Sequence, residues 1–305
     1  METYIIKSIA CLFAFWAFYK LFLENQSNHL FKRWFLLCSV LLSFIIPALV
    51  FTEYYVVYAP QTLESSPSVF NGTPQLAEGN SVPATDMDTL NWTLLLLTIY
   101  VLGLVVFGFR LLKNLVQILQ RIRHNTKIKD GNGTKVLLKR LLPPHTFFSY
   151  IFLNKKKFEE NNIPKEVLLH EEVHAKQWHS IDVVFIEVIQ VLFWFNPMVY
   201  LLKNAIKLNH EFLADSAVIK KTKAPKAYQN TLLSYLSKES ENKYQSVNMA
   251  NAINYSSIKK RFNIMKKESC KKAVFLRSML VLPLCVLLLF GFSEIPCHQR
   301  TRIKL

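Results

Sequence analysis

The stretch His170-Glu171-Glu172-Val173-His174 sets two imidazoles four positions apart, with a carboxylate directly after the first. On a helix, positions i and i+4 lie one turn apart on the same face. Two histidines so placed can take two corners of a tetrahedral zinc site, and Glu171 can serve as a general base toward water. A hydrolytic zinc centre needs three protein ligands and one open position, so the pair requires a third ligand. Histidine pairs at this spacing also arise through packing, and the motif alone does not decide between the two.

A third ligand is available in His-Glu-Phe-Leu-Ala-Asp, residues 210–215, where Glu211 and Asp215 again stand four apart. Acidic residues on helices are usually solvated. Here Phe212, Leu213, Ala214 and Ala217 flank them and mark a buried face, and a buried carboxylate needs a metal or a strong partner. Glu211 as ligand and Asp215 as acceptor for a ligand imidazole would satisfy both, the second fixing the tautomer of that ring. HExxH and ExxxD on separate helices form the pattern of a gluzincin-type zinc peptidase. His179 and His210 are further candidates for stabilising an oxyanion, although a core or surface role suits each as well. Trp178 and Tyr200 read as packing residues.

These side chains need elements to hold them. Pro164 opens a helix that carries HEEVH, and Asn196-Pro197 opens another that carries Glu211 and Asp215. Between them, residues 181–195 are apolar apart from Asp182, Glu187 and Gln190. That run is short for a membrane span and reads as a helix on the membrane face or against the peptidase core. Upstream, Asp130-Gly131-Asn132-Gly133 is a turn between two short β-like runs. Phe147–Leu153 reads as one strand of a small antiparallel sheet.

The rest of the chain is built for a bilayer. Of 305 residues, 51% are hydrophobic. Tyr4–Leu23, Trp34–Phe51, Trp92–Phe109 and Ala273–Phe292 each approach the roughly 20 apolar residues that a span requires. The first has no small-residue cleavage site after it and reads as a retained helix. The five cysteines form no CxxC pair and read as buried thiols. The expected organisation is mainly α. A three-helix membrane region, 1–111, precedes an α+β gluzincin-like zinc peptidase domain, 112–272. A fourth span, 273–292, and a short tail, 293–305, follow.

Charge sets the expected orientation. No Lys or Arg occurs from 34 to 109, whereas 110–272 holds 29 of the 37 basic residues and 13 of the 21 acidic ones. Basic segments stay cytoplasmic. The peptidase domain and loop 24–33 are therefore expected inside, and loop 52–91 outside. Arg300, Arg302 and Lys304 in the outer tail oppose this weakly. The basic excess reads as attraction to anionic lipids rather than nucleic-acid binding, with the run 256–272 as a polybasic segment before the last span. Loop 52–91, rich in Ser, Thr, Pro and Asn, reads as a poorly ordered connector.

The stretch LLHEEVHAKQWHSIDVVFIEVIQVLFWFNPMVYLLKNAIKLNHEFLAD, with FFSYIFLN upstream and three spans before one, resembles the BlaR/MecR-type membrane metallopeptidases. The resemblance covers nearly the whole chain. It implies zinc held by His170, His174 and Glu211, Glu171 as base, and Asp215 supporting a ligand. It also implies that an extended substrate pairs with the Phe147–Leu153 edge, at Phe148, Ser149, Tyr150 and Ile151. The implied setting is a bacterial inner membrane, and the implied substrate is a regulatory protein, such as a transcriptional repressor, or the chain itself. There is one departure. Relatives that sense β-lactams carry a penicillin-binding domain after the last span, and here 13 residues follow that span. Ser256 with Lys259, and Ser257 with Lys260, match the Ser-x-x-Lys spacing by chance. The competing reading is a non-catalytic signalling scaffold with a structural zinc, which the intact Glu171 disfavours. A prenyl-protein-processing protease shares the zinc motifs but would need further spans after HExxH.

Overall fold

The structure is a computed structural model describing residues 2–49, 53–58, 92–130, 133–140, 142–241, 248–266, 271–292 and 297–302. The expected connector residues 59–91, the turn residues Gly131 and Asn132, and Lys267–Cys270 of the polybasic run lie outside these. In chain order, α1 (Glu2–Phe18) runs into a π-helical turn (Tyr19–Leu23), followed by α2 (His29–Ile45), β1 (Glu53–Tyr58) and α3 (Trp92–His124). Then come β2 (Thr126–Asp130), β3 (Gly133–Leu138), β4 (His145–Phe147), β5 (Tyr150–Asn154), α4 (Lys155–Glu159), α5 (Lys165–Lys176) and α6 (His179–Leu192). The remainder is α7 (Pro197–Thr222), α8 (Pro225–Glu241), α9 (Asn248–Met265), α10 (Lys271–Met279), α11 (Val281–Phe292) and β6 (Cys297–Arg302).

Helices over Thr3–Leu23, His29–Ala48, Trp92–His124 and Val274–Phe292 are long and apolar enough to cross a membrane, three before the HEEVH segment and one after it. At about 1.5 Å per residue, the 33 residues of α3 extend about 50 Å, well beyond a hydrocarbon core of about 30 Å. Its far end carries Ile118 and Ile122, which pack under Val136, Leu138 and Phe152 of the sheet. The opposite face of the sheet, Leu137, Ile151 and Leu153, packs on Ile163, Val167 and Ala175 around α5. The period-2 alternation of β5 thus joins the last turns of α3 to the HEEVH helix.

The sheet order is β2-β3-β5-β4. The β2–β3 and β4–β5 pairs are antiparallel, as expected of this sheet, but β3 and β5 run parallel. The expected single strand Phe147–Leu153 is in fact a tight hairpin. Phe148 takes φ 51°, and its amide donates to Ser180 Oγ at 2.7 Å. A backbone reversal there puts β4 outside β5, so β5 is enclosed between β3 and β4 and the edge strand is β4. A second strand pair, parallel β1–β6 with Glu53 opposite Cys297, forms where a connector and a tail were expected. Three tyrosines and two valines in EYYVVY give β1 a high strand propensity.

For the α6–α7 hairpin, the structure departs from one of the two places expected of 181–195, the peptidase core. Neither helix lies on the peptidase sheet over its apolar length. Ile186, Val199, Leu202, Ala205 and Ile206 share one buried cluster with Leu12, Phe15, Leu36 and Val40 of α1 and α2. At the hairpin tip, Phe193 stacks on Phe44 at 4.1 Å, and Trp194 lies so close over Gly103 of α3 that a Cβ there would collide with its indole. The side of α6 that carries Phe185, Ile186 and Ile189 meets other helices.

Candidate metal centre

α5 presents His170, Glu171 and His174 on successive turns, and α7 crosses it to bring Glu211 opposite. His170 Nε2 lies 3.1 Å from His174 Nε2 and 3.3 Å from Glu211 Oε2, and His174 Nε2 lies 3.6 Å from Glu211 Oε1. Ligands about 2.0–2.1 Å from one tetrahedral ion sit roughly 3.3 Å from each other, so these separations suit a single zinc-sized ion. These three are the group of metal-capable side chains found among the described residues.

The outward ring nitrogens support the same assignment. Tyr228 donates its hydroxyl proton to Asp215 Oδ1 at 2.8 Å, and its oxygen lies 3.0 Å from His170 Nδ1. His170 Nδ1–H therefore donates to Tyr228, and Nε2 is the nitrogen turned toward Glu211. Asp215 Oδ1 is itself 3.3 Å from Nδ1, so the expected Asp215 support reaches His170 chiefly through the tyrosine. His174 Nδ1 lies 2.7 Å from His179 Nδ1, and His179 Nε2 lies 2.9 Å from Gln177 Oε1. A glutamine oxygen only accepts, so His179 carries its proton on Nε2 and accepts from His174 Nδ1–H. Both histidines are thereby held with Nε2 turned toward Glu211, the usual role of groups behind metal ligands.

Asp215 is held further. Arg261 donates from Nε and Nη2 to its two oxygens at 2.8 and 2.6 Å, and Arg261 Nη1 lies 2.9 Å from Glu211 Oε2. The arginine, within the polybasic run 256–272, is buried. A second chain of contacts leads away from His179. Its ring stacks on His210 at 4.2 Å, His210 Nε2 meets Asp182 Oδ2 at 2.7 Å, and Arg33 of α2 clamps both Asp182 oxygens at 2.7 and 3.1 Å. His179 and His210, the oxyanion candidates, are both engaged in this chain.

Electrostatics follow from this crowding. Burial lowers the basicity of His170, but Asp215 and Glu211 outweigh it and raise its pKa to about 10 without a metal. Burial and the charge on His170 press His174 down to about 3. Burial raises Glu171, with His170 and the Thr146 hydroxyl opposing. Glu211 and Asp215 are both held below the usual carboxylate range despite burial, by His170 and Arg261. Thr146 Oγ1 on β4 lies 2.7 Å from Glu171 Oε2 and 3.0 Å from Glu171 O, so its one proton can fix the rotamer of that carboxylate.

A cleft of about 410 Å³ opens over the cluster, bordered by His145, Thr146 and Phe147 on one side and by Lys207, Tyr228 and Tyr235 on the other. Phe148, Ser149, Tyr150 and Ile151, expected to meet a substrate, sit in the hairpin turn and the enclosed strand, and Ile151 is 2% exposed. Tyr228, Arg261 and Thr146 went unread in the sequence. Trp178 is half exposed rather than packed, in a left-handed turn with φ 54° that separates α5 from α6 and swings His179 back toward His174. Tyr200 donates to Trp194 O at 2.9 Å.

Residues 147–265 match the family described as BlaR1 peptidase M56, a stretch that carries every ligand candidate named above. The chain is also similar to the regulatory protein BlaR1 of Staphylococcus aureus, 22% identical over 242 residues. That similarity covers 70% of this chain and 41% of the relative, so the chain spans about two-fifths of the relative's length. In its matched segment, which includes a His-His-Glu cluster of the HExxH type, this chain is similar to the BlaR1 peptidase M56 family of metallopeptidases.

Proposed function

We propose that the chain is a membrane-embedded zinc metalloendopeptidase, with residues 112–272 as its peptidase unit on the cytoplasmic side. His170, His174 and Glu211 hold the ion, and Glu171 is the general base. A bound zinc would polarise the scissile carbonyl and acidify water. Glu171, its rotamer fixed by Thr146, takes the proton of the attacking water and delivers it to the leaving amine. Burial raises the basicity of Glu171 in the direction that this role requires. Asp215, through Tyr228, orients His170, and His179 orients His174. The observation that carries this reading is the set of mutual ligand separations, 3.1, 3.3 and 3.6 Å, with both outward nitrogens engaged.

The substrate enters as an extended segment along the free edge of β4, in place of the expected Phe147–Leu153 edge, because β4 borders the cleft and β5 is paired on both sides. By likeness to a regulatory protein, the substrate is a soluble regulator such as a transcriptional repressor, or the chain's own cytoplasmic segment. Comparison of protein N-termini and transcripts in cells carrying wild type or Glu171→Gln tests this. Termini and transcripts that depend on Glu171 support it, and identical profiles under every envelope stress tried refute it.

A further inference from the structure

The α6 helix carries a stripe of exposed apolar side chains along its whole length. Trp178, Ile181, Val188, Leu192 and Phe195 are each 39–51% exposed, at spacings that keep them on one face. Asp182, Ile186 and Gln190 face α2 and α7 and are buried. Glu187 lies roughly opposite the stripe, 2.6 Å from Lys203 of α7. No protein covers the stripe among the described residues.

What covers it is indicated by the neighbours of the hairpin. Its open end lies beside the start of α2, through Arg33 with Asp182 and through Asn209 Nδ2 donating to His29 O at 3.0 Å. Its tip lies beside the end of α2, through Phe193 on Phe44. The hairpin therefore runs alongside a membrane helix for most of that helix's length. α3 flanks it as well, with Leu96 and Leu102 exposed 63% and 64%.

The tip gives a second, independent indication. Inside a bilayer every backbone carbonyl of a non-helical turn must be satisfied by protein. Leu192 O accepts from Tyr100 Oη at 3.2 Å, Phe193 O from the Asn196 amide at 2.9 Å, and Trp194 O from Tyr200 Oη at 2.9 Å. Asn196 Oδ1 in turn caps α7 at the Met198 amide, 2.9 Å away.

We propose that α6–α7 is a re-entrant hairpin, entering and leaving the bilayer on the same side, with the α6 stripe against acyl chains. Fourteen residues of α6 rise about 21 Å, too little to cross the roughly 30 Å core but enough to pass its middle. Trp178, beside His179 at the mouth of the metal cleft, then sits at headgroup depth, where tryptophan is favoured. The cleft itself opens at the membrane surface.

The test uses full-length protein in phosphatidylcholine–phosphatidylglycerol liposomes, with native cysteines replaced and single nitroxide labels at 178, 181, 188 and 192. Labels at Leu96 and Lys165 give lipid and water references. Collision with oxygen relative to a water-soluble nickel chelate should rise from 178 to 192 and approach the Leu96 value. A Lys165-like response along the stripe overturns the proposal. Exclusion of both reagents also overturns it and assigns the face to a second copy of the chain. The unsubstituted protein gives a parallel reading. A phospholipid with a diazirine in its acyl chain should label the peptide containing 181–195, and absence of label there, with label present in α3, contradicts the proposal.

Discussion

Each of the two candidate ligand histidines has a partner behind it, and those partners differ in kind. His170 leans on Tyr228 and the Asp215–Arg261 pair, whereas His174 leans on a neutral histidine. Purified protein is expected to carry about one zinc per chain, and His170→Ala or Glu211→Ala to lose it, as measured by elemental analysis. Asp215→Asn should weaken zinc by roughly 10–100-fold and Tyr228→Phe by about tenfold, read by chelator competition. The pH dependence has a definite sign. Without metal His170 is protonated up to about pH 10, so zinc must displace that proton. Affinity should therefore rise about tenfold per pH unit between pH 6 and 8, with about one proton released from His170 into the buffer on binding. His170, Glu171, His174, Glu211 and Asp215 were legible because helical spacing ties each pair together. Tyr228 lies 58 positions from His170 and Arg261 46 positions from Asp215, and no local spacing announces such contacts.

Among the elements, β4 and the α6–α7 hairpin matter most to the site. The hairpin split at Phe148 was not readable, because a phenylalanine gives no sign that it will adopt a left-handed backbone. Without that split, the alternation in FFSYIFLN reads as one strand. The helices of 165–176 and 197–222 were legible from Pro164 and Asn196-Pro197. The destination of 181–195 was not, since an apolar face of that length fits a core, a membrane surface or other spans equally well. Gly103 tests the packing found here. Gly103→Leu should drive Trp194 out of its seat on α3 and destabilise the protein by about 1–3 kcal/mol, the usual cost of overpacking, seen as a lower Tm in detergent. Gly291, with open space around it, should tolerate the same change with little effect.

For the molecule as a whole, the four spans and their three-plus-one arrangement followed directly from hydropathy, because a bilayer imposes a length that sequence shows plainly. The contact between α2 and the metal centre did not, because Lys32 and Arg33 read as loop charges. In fact Lys32 is fully buried, donating to Gln26 O at 2.8 Å, and Arg33 ends the histidine chain at Asp182. Orientation is testable separately. With native cysteines removed, a cysteine at position 75 should react with an impermeant thiol reagent in intact cells and one at 160 should not. The reverse pattern would put the cleft outside. The central claim is that this chain cuts peptide bonds with Glu171 as base and zinc on His170, His174 and Glu211. Its most direct test is the appearance of new N-termini, by mass spectrometry, when the full-length protein in liposomes meets a cytoplasmic extract depleted of soluble proteases. Wild type should generate termini that vanish both in Glu171→Gln, with its zinc content unchanged, and after zinc chelation. The same termini in wild type and Glu171→Gln would contradict the account.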